Sequence, residues 1–251
     1  MGRRLGQHFL RAPGVVEKIL SAAGITRADS VVEIGPGEGA LTFPLCREAG
    51  RVVAFELDRR LAEALPPLPR LEVRCQDFLE SRLDEFRGWK VVANLPYYIT
   101  SPIVEKLLVE GRSLAGMWLM MQREVAERIV SPGTRQAGSL TYFVQFFTRP
   151  KLLFRVKPGS FRPPPEVESA VVELLPRDEL PSSDPVRFQR LVRTVFSMRR
   201  KTLRRSLSTI HSEPERPLEL AGIDPSRRPE TMSLEEFLRL EAALREDENG
   251  R

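Results

Sequence analysis

Asn94-Leu95-Pro96-Tyr97 follows the apolar run Lys90-Val91-Val92-Ala93 and brings together groups able to handle a flat, weakly basic amine. An exocyclic amine on an aromatic ring is a poor nucleophile, because its lone pair is delocalised into the ring. Two acceptors that take its N–H hydrogens would return that pair to nitrogen. The Asn94 side-chain carbonyl and the backbone carbonyl beside Pro96 are the candidates. Pro96 restricts the backbone and keeps the carbonyl aimed, which is electrostatic preorganisation without a strong base. Tyr97 offers a ring for an extruded base, a stacking contact worth about 1–3 kcal/mol, and chemistry on a base requires taking it out of its stack. The tetrapeptide also fits an ordinary strand-to-helix turn, with Pro96 as punctuation and Tyr97 covering the core. Its partners decide between the two.

The first partner is the turn in Val31-Val32-Glu33-Ile34-Gly35-Pro36-Gly37-Glu38-Gly39-Ala40, between an expected strand and an expected helix. Gly35-x-Gly37-x-x-Ala40 matches the loose dinucleotide pattern, with Glu56 ending the next strand where a ribose would be held. Pro36 lacks an N–H donor and Glu38 would set a negative charge beside a pyrophosphate, so NAD fits poorly. S-adenosylmethionine (SAM), an adenosine without phosphates, fits better. Gly35 and Gly37 then let the backbone approach, and Glu56 accepts from the ribose hydroxyls. Asp77 can accept from the adenine amine and Phe78 can pack on its ring. The bland alternative for each carboxylate is a solvated strand end.

The elements that must position these residues form an α/β pattern. From about residue 31 to 175, β-branched runs begin at 31, 51, 71, 90, 116, 152 and 169, separated by helix-length segments. That predicts a Rossmann-like domain with a mostly parallel sheet, binding at the carboxyl ends of its strands. Pro176 to Pro185 reads as a linker. Beyond it, Phe188, Leu191, Val192, Val195 and Phe196 follow helical spacing, as do Leu234, Phe237, Leu238, Leu240 and Leu244. The expected division is 1–178, the cofactor domain, and 179–251, a small all-α domain.

A chain of 251 residues with 41% hydrophobic and 29% charged residues has the balance of a folded protein, and its apolar runs are too short for a membrane span. The basic amino terminus lacks a signal-peptide core, so the cytoplasm is the expected compartment. Cys46 and Cys75 lack metal-ligand spacing, and no metal site is expected. A net charge of +5 favours a polyanionic partner. The stretch from Arg187 to Arg205 holds eight basic residues and no acidic one, densest at Arg199, Arg200, Lys201, Arg204 and Arg205. A charge run is usually a solvated helix face, but this one opens the helical domain. With the acid-free stretch Arg149 to Arg162 it suits RNA phosphates. His211, in a polar stretch, reads as a surface residue.

The sequence resembles the small-subunit (16S) rRNA adenine dimethyltransferases over nearly its whole length. The matching stretches are GQHFL (6–10), VVEIGPGEGALT (31–42), FELD (55–58), QDFL (76–79), NLPYYIT (94–100), MMQREVAERI (120–129), FRPPPEVESAVV (161–172) and FSMRRKTLRRSL (196–207). The resemblance implies SAM contacts from His8, Leu10, Gly35, Glu56, Asp77 and Asn94, with His8 where many members have Asn. It implies that Phe161 packs on the target adenine opposite Tyr97. It implies dimethylation of two adjacent adenines near the 3′ end of 16S rRNA in an assembling small subunit, by a monomer. Leu95, where related sites have proline, is expected to leave room for a monomethylated amine to return. Two alternatives remain open: a 23S rRNA adenine methyltransferase of the macrolide-resistance type, and a non-catalytic assembly factor.

Overall fold

The computed structural model describes residues 7–182, 184–198 and 200–249. In chain order its elements are β1 (Phe9–Leu10), α1 (Pro13–Ala23), β2 (Ser30–Ile34), α2 (Thr42–Glu48), β3 (Arg51–Glu56), α3 (Arg59–Ala64) and β4 (Leu71–Cys75). Then come β5 (Lys90–Asn94), α4 (Thr100–Glu110), β6 (Gly116–Gln122), α5 (Arg123–Val130), α6 (Ser139–Phe147) and β7 (Thr148–Val156). The chain continues through β8 (Phe161–Arg162), β9 (Ser169–Pro176), α7 (Pro185–Ser197), α8 (Leu203–Leu207), α9 (Glu215–Leu220) and α10 (Leu234–Asn249).

It divides into two compact units, one of Met1–Glu127 with Thr148–Pro176 and the other of Arg128–Phe147 with Arg177–Arg251. The first holds a seven-stranded sheet in the order β4-β3-β2-β5-β6-β9-β7. The pairs from β4 to β6 are parallel, and β9 runs antiparallel to both its neighbours. The central strands are covered on both faces: Val52, Val53 and Ala54 on β3 and Val91, Val92 and Ala93 on β5 are all buried. That is why they read as continuous apolar runs instead of alternating ones. Each valine so buried is worth about 1.5–3 kcal/mol. Helix α1 starts on Pro13 and stops at Gly24, whose φ of 53° suits a residue without Cβ. Strand order reverses between β2 and β5, which leaves a crevice at their carboxyl ends. All seven strands expected from the sequence are present, and the sheet is mostly parallel as expected.

The second unit differs from the expected break at 178/179, because residues 128–147 group with the carboxyl-terminal helices. The cause is α6, on which Leu140, Tyr142, Phe143, Val144, Phe146 and Phe147 are all buried. A helix apolar around its whole circumference must be enclosed. Phe146 stacks on Phe188 of α7 at 4.2 Å, and Tyr142 meets Phe237 of α10 at 4.5 Å. The Tyr142 hydroxyl donates to the Met232 carbonyl at 2.7 Å and accepts from the Gly133 N–H at 3.3 Å. Tyr142→Phe leaves the Met232 carbonyl without its partner in the interior and is expected to lower unfolding free energy by about 1–3 kcal/mol. Urea titration followed by circular dichroism checks this, and an unchanged midpoint would contradict it.

Candidate active site

The crevice at the reversal point is a cleft of about 950 Å³, counting its open mouth. The turn after β2 forms its floor. The Gly35 N–H donates to the Phe55 carbonyl at 2.9 Å, which carries the backbone across from β2 to β3. Glu56, only 5% exposed, then accepts from the Gly37 N–H at 3.1 Å through one oxygen and from the Asp58 N–H at 2.9 Å through the other. A carboxylate has about four lone-pair positions, so Glu56 fixes the turn and can still accept from a ligand. Gly37 has φ 55°, and a Cβ there would lie 3.0 Å from the Phe9 ring. The glycine therefore lets the amino-terminal strand close down on the turn.

That strand is held at several points. β1 pairs with β8 in a two-stranded ribbon, and the Arg11 N–H donates to the Ser160 carbonyl at 2.7 Å. His8 Nδ1 lies 2.9 Å from the Pro163 carbonyl, and Arg11 pairs with Glu38. On the other side, β5 ends at Asn94, whose side-chain N–H donates to the His8 backbone carbonyl at 3.3 Å. That bond takes the donor end of the amide and leaves Oδ1 as the acceptor. The Pro96 carbonyl already accepts from the Thr100 hydroxyl at 3.0 Å and the Ile99 N–H at 3.2 Å. Of the carbonyls flanking Pro96, its own is therefore already engaged. The Tyr97 hydroxyl hydrogen-bonds Ser169 Oγ at 2.7 Å, and its ring lies 5.6 Å from that of His8. Burial raises the Tyr97 phenol above its ordinary pKa, with Ser169 opposing, so the group stays protonated at neutral pH.

His8, Leu10, Gly35, Gly37, Glu56, Asp77, Phe78, Asn94 and Pro96 all line the cleft. Asp77 accepts from the Leu79 N–H at 2.8 Å, and Phe78, 4% exposed, also packs edge-on against Phe55 at 5.4 Å. Three expectations fall on side chains that the fold buries. Phe161 is 4% exposed and sits in the same hydrophobic cluster as Leu10 and Val92, so its ring is not presented for stacking. Pairing in β8 turns it inward. Leu95 is 1% exposed, its side chain belonging to the core and not to the cleft lining. His211 is buried, with Nε2 3.0 Å from Asp247.

The cleft also holds residues the sequence reading passed over. Tyr98, 56% exposed, is one, and its phenol is raised by burial and then by the charges of Asp77 and Glu56. Glu33 is another. The adjacency Tyr97-Tyr98 was a visible signal for the first, and the acid inside an apolar strand for the second. Of the basic cluster, Arg199 lies outside the described residues. Arg200, Lys201, Arg204 and Arg205 are exposed while Leu203 and Leu207 of α8 are buried, so the helix turns its cations to solvent. Folding brings acids to this basic run after all: Arg204 pairs with Glu215 at 3.2 Å, and Arg187 with Glu241 at 3.3 Å and Glu248 at 2.9 Å.

Residues 2–246 match the ribosomal RNA adenine dimethylase family. The chain belongs to that family. It is 42% identical to a ribosomal RNA small subunit methyltransferase A of Geobacillus thermodenitrificans, covering 96% of this chain and 90% of that one. It is 44% identical to the protein of that name from Pelotomaculum thermopropionicum, over 94% and 88%. Among solved structures, a dimethyladenosine transferase from Plasmodium falciparum superposes with a TM-score of 0.80 at 27% identity, covering 97% and 98%. The 23S rRNA methyltransferase ErmE gives 0.75 at 28% identity, covering 94% and 99%.

This family member is a SAM-dependent rRNA adenine methyltransferase, and its cleft suits the cofactor: buried acceptors, a glycine turn, and at Pro36 no N–H for a phosphate. Gly37→Ala puts a Cβ against Phe9 at a φ that disfavours side chains, a cost of about 1–2 kcal/mol. It is expected to weaken SAM binding roughly tenfold by calorimetry. Unchanged affinity would remove the close approach as a requirement.

Proposed function

We propose that this enzyme transfers methyl groups to the N6 amines of two adjacent adenines near the 3′ end of 16S rRNA, within an assembling small ribosomal subunit. The observation that carries the 16S assignment is the 42–44% identity, over nearly the whole chain, to proteins named for the small subunit. The fold does not separate this reading from a 23S enzyme, since ErmE superposes almost as well. We infer that it acts in the cytoplasm as a monomer. No helix among the described residues is long and apolar enough to cross a membrane.

In this reading His8, Leu10, Gly35, Gly37, Glu56, Asp77, Phe78 and Asn94 hold the cofactor. Glu56 accepts from its ribose and Asp77 from its adenine amine. The bound cofactor supplies an electrophilic methyl group on a sulfonium. The protein prepares the acceptor. Asn94 Oδ1 and the Leu95 carbonyl take the two N–H hydrogens of the target amine, with Pro96 restraining the peptide that carries the Leu95 carbonyl. Tyr97, anchored through its hydroxyl to Ser169, gives the base one stacking face. Both polar groups are acceptors of low basicity, so the proton leaves to water after transfer, when the alkylated nitrogen is strongly acidic. Arg200, Lys201, Arg204 and Arg205 hold RNA phosphates, which supplies affinity without sequence preference.

Radiolabelled SAM offered to small subunits lacking the modification, beside free 16S and 23S rRNA, tests the substrate. Label recovered as dimethyladenosine on the subunit is expected. Label on 23S rRNA would move the protein to the resistance group, and binding without label would leave an assembly factor. Separately, Lys201→Ala or Arg205→Ala is expected to weaken RNA binding across sequences and reduce the slope of log affinity against log salt by about one. A slope equal to that of the unaltered protein would contradict the phosphate role.

A further inference from the structure

Glu33 lies on β2 and lines the cleft, yet is 1% exposed. Its Oε2 has no hydrogen-bond partner among the described residues. The Thr42 hydroxyl on α2 is near enough to favour the ionised form but does not complete a hydrogen bond. A buried carboxyl with an open acceptor position ionises at a high cost unless a cation arrives. The other groups acting on it are acidic: Glu56, at the end of β3, opposes its ionisation, and Cys46, on α2, is a thiol pushed up to about 11 by burial and by Glu33 itself. Burial, reinforced by Glu56 and opposed by Thr42, pushes Glu33 up to about 8. At neutral pH it is mostly protonated.

The two ligands that alternate in a methyl-transfer cleft differ by one charge. SAM carries a sulfonium, whereas its product S-adenosylhomocysteine (SAH) carries a neutral thioether. We propose that Glu33 senses this charge, releasing its proton to solvent when the sulfonium ligand binds and taking one back when the thioether remains, so that the cleft favours cofactor over product. The inference rests on the cofactor reading of the cleft. Atoms and charge balance over a turnover. The S–CH3 bond breaks with its electron pair staying on sulfur, the amine lone pair forms the N–CH3 bond, and the amine proton goes to water. The proton that Glu33 lost on binding is regained from solvent, leaving one proton released per methyl.

A group whose pKa falls on binding strengthens binding as pH rises toward its free value and then levels off. Preference for SAM over SAH is therefore expected to grow, by at most about tenfold per pH unit, until about pH 8. Calorimetry of both ligands across pH, in two buffers of different ionisation heat, reads the affinity ratio and the protons released. For the unaltered protein, proton release with SAM should exceed that with SAH. Glu33→Gln keeps the shape and an acceptor but cannot ionise. It should bind SAH normally, lose about tenfold in SAM affinity near pH 8, and flatten the ratio. The ligands' own amines ionise identically against both proteins, so the difference between proteins isolates residue 33. An SAM-to-SAH ratio with the same pH dependence in both would overturn the proposal, since a purely structural role predicts that result. Failure of either ligand to bind the unaltered protein would instead overturn the cofactor reading, and the inference with it.

Discussion

Two hydrogen bonds hold the turn on which the site depends: Gly35 N–H to the Phe55 carbonyl, and Gly37 N–H to the Glu56 carboxylate. They tie the carboxyl ends of β2 and β3 together where strand order reverses, so the backbone opens toward the crevice instead of running on into a tight helix start. The buried sheet beneath makes the tie rigid, because parallel strands covered on both faces have little freedom to shift register. The amino-terminal strand can then close on the turn at Gly37. Through the His8 carbonyl it also orients Asn94, on the far side of the crevice. The glycine turn and Asn94 are thus linked by one short segment, residues 8 to 11.

Much of this was legible in the sequence because the signals were local. Seven apolar runs punctuated by helix-length segments specify the sheet, and glycines, Glu56, Asp77 and Asn94 fall at strand ends where chemistry belongs. Local pattern could not tell which way a side chain turns after a strand ends. Phe161 and Leu95 are both apolar residues beside polar motifs, and both face the core, because pairing in β8 and the reach of β5 into the sheet set their direction. Nor could it show that the Pro96 carbonyl is already engaged by Thr100 and Ile99.

Long-range grouping was the least legible feature. Residues 139–147 sit between two sheet strands and read as a crossover, yet aromatic contacts with Phe188, Phe196 and Phe237 place them in the helical unit. The basic run gave a similar lesson. Its lack of nearby acids in sequence did not mean that its cations lacked partners, since Glu215, Glu241 and Glu248 arrive from later helices. The exposed Arg204–Glu215 pair contributes only about 0–1 kcal/mol, whereas Arg187 meets a buried carboxylate in Glu241. His211, buried against Asp247, shows that a polar neighbourhood in sequence does not make a surface residue.

The central claim is that Asn94 accelerates the chemical step by accepting a hydrogen from the target amine. Single-turnover methyl transfer by Asn94→Ala, with SAM saturating for each protein, tests it most directly because saturation removes any difference in cofactor binding. The account predicts a fall of about 10²–10³ in rate, as for the loss of a preorganised hydrogen-bonding group that acts on the transition state. A rate within a few-fold of the unaltered enzyme would contradict it.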